Sequence, residues 1–194
     1  MKTLNQFLGE SGLSRIHDKI QNHESGAISG YRADSTSSKN KSNNREIVAY
    51  LRQKNYSLTK VKGSYIENYE SDDAREVGEP SFFVVDHNDT GNLVKDLVRL
   101  GKLYDQDSVL IVPKGGKGAH LIGTSKRDNA WPTINQKAKV GSGKFGKASG
   151  EFFSRVKGRQ FAFESIESPA TINGIRGEKL LAEDVESKLQ AIID

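Results

Sequence analysis

No cysteine occurs among the 194 residues, so disulfides, thiolate metal sites and cysteine nucleophiles are excluded. Only His17, His23, His87 and His120 remain as soft ligands, with no pair at a ligand spacing inside the apparent domain. No metal site is expected, and no motif implies a cofactor. No run approaches the roughly 18 to 20 apolar residues that span a bilayer, and no secretory hydrophobic segment follows the start. The expectation is a soluble chain made in the cytoplasm, with no membrane partner. Prolines number four and tryptophans one.

What is present is polar. Hydrophobic residues make up 35% and charged residues 28%, low for a compact protein yet above the disordered class. The length suits one domain with appendages. The net charge of +4 hides an asymmetry: Lys114 to Arg159 holds eleven Lys/Arg against two acids, whereas Glu67 to Glu79 holds six acids against one arginine. Contact with a polyanion and simple solvation of loops both account for such a pattern.

The chain is organised around two apolar runs, Phe82 to Val85 and Val109 to Val112, each bounded by turn residues and read as a strand buried on both faces. Leu93, Val94, Leu97 and Leu100 lie between them at helical spacing. Leu13, Ile16 and Ile20 predict a short docking helix, and 27–33 a strand. The segment 35–44 has no apolar residue and reads as a loop. Helices are expected over 43–54, 92–104 and 179–194, and two strands flanking Gly63. A hairpin is expected around 114–118 and another around Lys157-Gly158. The fold class expected is α/β (α+β): a single domain with a mixed, mostly antiparallel sheet of about five to seven strands and helices packed on it.

Met1-Lys2-Thr3, Phe7 and Leu8-Gly9-Glu10 together resemble the capsid-targeting leader of internal head proteins of T-even-type bacteriophages. The resemblance implies a leader over 1–10 and a cut by the prohead protease after Glu10, with Leu8, Glu10 and Ser11 as cleavage residues. It further implies the phage prohead core as partner, residence inside the virion, and later release into the host cytoplasm. The remaining organisation reads as a helix over 11–24, a core over 27–124, a basic glycine-rich loop over 125–150 and a closing hairpin and helix over 151–194.

A second set of residues, Tyr31-Arg32, Asn44-Arg45, Gly63 with Glu67, Glu79-Pro80-Ser81, and Leu100-Gly101 with Gln106, is similar to an uncharacterised family found in bacteria and tailed phages. The similarity spans about 27–124 and names no activity. Its polar members fall at strand ends and turns, where an α/β sheet presents its ligand crevice. Arg32, Glu67, Glu79, Ser81 and Gln106 are therefore the catalytic candidates, although helix capping and backbone bonding explain such residues as well.

Other chemistries find less support. The lysine a phosphate loop requires is missing before Thr124, no nucleophile elbow accompanies Ser81 or Ser108, and nothing in the sequence orients Asp105 and Asp107 with Glu79 around Mg²⁺. Lys126, Arg127, Lys137, Lys139, Lys144 and Lys147, interleaved with Trp131, form a candidate surface for DNA without sequence preference. The expected function is a packaged, injected phage protein that binds or inhibits a host defence or restriction factor. The rivals are an enzyme acting on a nucleotide or nucleic acid, and a non-specific DNA-binding capsid protein.

Overall fold

A computed structural model of the chain describes residues 12–67, 75–128, 130–139, 152–156, 159–161 and 175–193. In chain order these form α1 (Gly12–Asn22), β1 (Ser25–Ser29), α2 (Ser37–Gln53), β2 (Ser57–Glu67), β3 (Arg75–Val85) and α3 (Leu93–Leu103). There follow β4 (Ser108–Val112), β5 (His120–Gly123), β6 (Lys137–Lys139), β7 (Phe152–Val156), β8 (Arg159–Phe161) and α4 (Ile175–Ile193). The fold is α+β, with one sheet in the order β6-β5-β4-β1-β3-β2-β7-β8. Eight strands exceed the five to seven expected, and every pair of neighbouring strands is antiparallel.

The strand–helix–strand unit of β3, α3 and β4 is present, but its strands do not touch. β1 lies between them, with Ser25 opposite both Val85 and Val112, and Ala27 opposite both Phe83 and Leu110. Gly26 permits this arrangement. A Cβ there would lie 2.5 Å from the Leu110 carbonyl oxygen and 2.6 Å from Leu97 Cδ1, so only a bare backbone lets α3 rest on β1.

Both faces of the sheet are covered, which is why the central runs are apolar without alternation. Ile28, Phe82, Val84, Val109 and Ile111 pack with Ile47, Leu51, Leu93, Leu97 and Leu100, and α4 adds Val185 and Leu189. On the opposite face Phe83, Val85 and Val112 pack with Ile16 and Ile20 of α1. Among the described residues no helix is long and apolar enough to cross a membrane.

Several expectations are corrected. The segment 35–44 is not a loop: α2 begins at Ser37, capped by Thr36, whose side chain accepts from the Lys39 amide. Its first turns are held by buried asparagines, to which hydrophobic periodicity is blind. Gly63 does not divide two strands, since β2 runs through it, and α4 starts four residues earlier than expected. The described part of the basic stretch, 125–128 and 130–139, is tied to β5. The Gly123 amide donates to the Gln136 carbonyl at 3.0 Å and the Asn135 amide to the Gly123 carbonyl at 2.8 Å, folding this stretch back on β5. A Cβ at Gly123 would lie 2.2 Å from the Pro132 carbonyl oxygen. The leader and 140–151 lie outside the described residues.

Candidate functional site

Arg32, Gln106, Ser81 and Glu79, but not Glu67, lie toward the end of the sheet where β1 stops and β4 starts. Ser29 is opposite Ser81; its hydroxyl donates to the Pro80 carbonyl at 3.0 Å and accepts from the Tyr31 amide at 3.0 Å. Beyond β1 the chain passes along α2 and is gripped by three asparagine side chains. The Gly30 amide donates to Asn44 Oδ1 at 2.8 Å, and Asn43 Nδ2 donates to the Gly30 carbonyl at 3.2 Å. The Arg32 amide donates to Asn40 Oδ1 at 3.1 Å, and Asn40 Nδ2 donates to the Arg32 carbonyl at 2.9 Å. All three carboxamides are buried, so they replace a missing strand as partners for this backbone. Asn43 Oδ1 is buried and has no hydrogen-bond partner.

This clamp fixes the root of Arg32. The guanidinium donates from Nε to Asp34 Oδ1 at 2.9 Å and from Nη2 to Asp34 Oδ2 at 2.7 Å, a two-pronged pair. Nη1 donates to the Asp105 carbonyl and lies 3.8 Å from Asp105 Oδ2 and 4.0 Å from Asp107 Oδ1. A second guanidinium closes the ring of charges: Arg127 donates to Asp107 Oδ1 and places Nε 3.3 Å from Asp105 Oδ2. Ser125 donates its hydroxyl to Asp105 Oδ1 at 2.7 Å. Hydrogen bonding from Arg32 holds the Asp34 carboxyl below its usual range, and the same bond raises the arginine.

The turn carrying the two acids is rigid. Asp105 has a φ of 49°, a left-handed conformation that aspartate tolerates better than most residues. The Gln106 amide closes α3 by donating to the Gly101 carbonyl at 2.9 Å, and the Thr124 amide donates to the Asp107 carbonyl at 2.9 Å. A Cβ on Gly101 would stand 2.7 Å from Thr124 Oγ1, so glycine allows α3 and β5 to meet beneath the turn.

Of the five catalytic candidates, Arg32 stands in this cluster. Gln106 is beside it, buried, with its side chain donating to the Tyr104 carbonyl at 3.3 Å, an inward-directed role. Ser81 is buried and Glu79 half-buried on β3, at the level of the end of β1. Glu67 is opposite Arg75, four residues beyond the Gly63–Glu79 pair, roughly 13 Å farther along the strand; its side chain is outside the described residues. Lys126, Lys137 and Lys139 are exposed, and Trp131 is 51% exposed. Arg127 is engaged by aspartates, leaving it poorly suited to grip phosphate. Lys144 and Lys147, like Leu8, Glu10 and Ser11, lie outside the described residues.

Sequence reasoning missed Asp34, Asn40, Asn43 and Ser125. The only signal was local: an acid two residues after Arg32, and repeated asparagines ahead of an apolar helix. Among the described residues, no three His, Asp or Glu side chains are grouped to hold a metal ion. Three carboxylates around two guanidiniums leave the cluster with one excess negative charge, a setting that attracts a cationic ligand.

Against curated proteins the chain finds no match. The family model described as the S-adenosylmethionine lyase family matches residues 26–172, a span that runs from β1 past β8 and includes the whole Arg32–Asp107 cluster. Helices α1 and α4 fall outside it, though both contribute to the core. A match over this much of the chain settles membership: the protein belongs to the S-adenosylmethionine lyase family.

Proposed function

We propose that the protein cleaves S-adenosylmethionine and that this consumption serves a phage against host restriction. The observation that carries the reading is the family match over 26–172. It favours the nucleotide-directed enzyme over direct binding of a host protein, since the substrate is an adenosine derivative. The charge balance of the cluster supports it: the substrate carries a sulfonium, an ammonium and a carboxylate, one net positive charge, against one net negative charge on the protein.

The chemistry asks little of the protein in acids and bases. A sulfonium is a good leaving group because its sulfur departs as a neutral thioether. When the substrate's own carboxylate oxygen attacks the γ-carbon, a C–O bond forms, the C–S bond breaks and its electron pair leaves on sulfur. No proton moves. The protein's task is then to hold the aminoacyl chain folded, with attacking oxygen and carbon in contact. An elimination would instead need a base to remove the β-proton, and Glu79 is the half-buried carboxylate nearest the end of β1 in sequence register.

Incubating the purified full chain with S-adenosylmethionine and separating the products by liquid chromatography and mass spectrometry tests this. The expected products are 5′-methylthioadenosine with a lactone, or with an unsaturated amino acid if elimination operates. Loss of substrate no faster than in buffer overturns the reading. The packaged, injected route rests on residues 1–10 and is part of the proposal. Mass spectrometry of virions should find the chain beginning at Ser11, and its absence removes that route while leaving the enzyme reading intact.

A further inference from the structure

Arg32 and Asp34 are unequal partners. The arginine side chain is 15% exposed and the aspartate 65%, so the cation is recessed and the anion stands at the surface. Asn40 bonds both backbone groups of Arg32, and Asn43 and Asn44 bond both of Gly30. The guanidinium is held in place before any ligand arrives. Asp34 is located in the short segment between that clamp and the Thr36 cap of α2, and its carboxylate is open to water. An exposed carboxylate on a pre-positioned guanidinium fork is readily exchanged for another.

We propose that Arg32 is the binding group for the α-carboxylate of the substrate's amino-acid end, and that Asp34 holds that position until the substrate carboxylate displaces it. The inference rests on the lyase reading and specifies how the site takes its ligand. The neighbouring acids fit the other half of the zwitterion. Asp105 Oδ2 and Asp107 Oδ1 lie 3.8 and 4.0 Å from Arg32 Nη1, and an α-amino acid carries its ammonium one carbon from its carboxylate. Arg127 and Ser125 keep the two aspartates in place through their own bonds. Gripping the carboxylate at this point also sets the conformation of the chain that links it to sulfur.

Two ligands separate the ends of the substrate. S-adenosylhomocysteine keeps the amino-acid end and lacks the sulfonium; 5′-methylthioadenosine lacks that end altogether. Isothermal titration of the full chain should show that Arg32→Gln weakens the first by about tenfold or more and leaves the second within about twofold. Asp34→Asn should tighten S-adenosylhomocysteine and leave 5′-methylthioadenosine unchanged. Arg32→Lys, which keeps the charge and loses the fork, should weaken the first ligand by less, and it serves if Arg32→Gln does not fold. Equal weakening of both ligands by the arginine variants, or weaker S-adenosylhomocysteine binding by Asp34→Asn, overturns the subsite. Turnover by the wild type alongside such a result overturns the subsite alone; no turnover and no binding of either ligand overturns the lyase reading with it.

Discussion

Two ion pairs in this protein are built in opposite senses. At the joint of α2, α3 and α4, Lys188 Nζ lies 2.8 Å from Glu46 Oε2, with the acid 8% exposed and the lysine 41%. The buried acid also accepts from Tyr104 Oη and Ser42 Oγ, each at 3.0 Å. At the end of the sheet the order is reversed, with a recessed arginine and an outer aspartate. A recessed carboxylate surrounded by hydroxyls from two helices and an outside lysine has no reason to change partners. A recessed guanidinium whose main partner is a surface carboxylate can change it at small cost, because the outgoing group returns to water. The first pair fastens the fold, and the second is suited to a ligand.

Removing the recessed member should separate the two most sharply. Glu46→Ala leaves Tyr104 Oη, Ser42 Oγ and Lys188 without their shared acceptor and should cost about 3 kcal/mol of stability in urea unfolding; a loss near zero would break the contrast. Asn40→Ala removes the carboxamide that holds both backbone groups of Arg32 and should cost about 1 to 2 kcal/mol, while weakening S-adenosylhomocysteine binding alongside. If stability falls with no change in binding, the clamp has nothing to do with the site.

A smaller effect is expected from pH. Burial works to raise the Glu46 pKa, but hydrogen bonds from Lys188, Tyr104 and Ser42 hold it below the ordinary 4.5. The unfolded chain therefore takes up this proton more readily than the folded one. The stabilisation is complete above about pH 4.5 and is lost as pH falls through the lower folded value. Melting temperatures of Glu46→Gln should decline less than those of the wild type across that window, and parallel declines would exclude Glu46 as a source. The smallest effect is predicted for Asp34→Asn, which should melt with the wild type because the aspartate faces solvent. A clear drop in its melting temperature would make the two pairs alike after all.

Much of the scaffold was legible in the residues. Phe82 to Val85 and Val109 to Val112 are apolar on consecutive positions, as strands between two layers must be, and Leu93, Leu97 and Leu100 recur at helical spacing. The site was legible only in part. Arg32 and Gln106 stand out as polar residues at strand ends, but Asp34 reads as one more residue of a polar loop. The start of α2 was invisible because Asn40, Asn43 and Asn44 are buried through hydrogen bonds to Gly30 and Arg32, and no hydrophobic pattern records that kind of burial.

The primary structure alone determined the layered α+β fold, the absence of any thiol chemistry, and the segregation of acidic and basic stretches, because these follow from composition and from periodicities a few residues long. Tertiary structure decided that β1 inserts between β3 and β4, and that its continuation runs along α2. It also decided that residues as distant as Arg32, Asp105 and Arg127 share one cluster. The physical reason is range. Propensity and periodicity act between neighbours in the chain, whereas a guanidinium chooses its carboxylates only after helices and strands from separate parts of the sequence have been packed around one sheet.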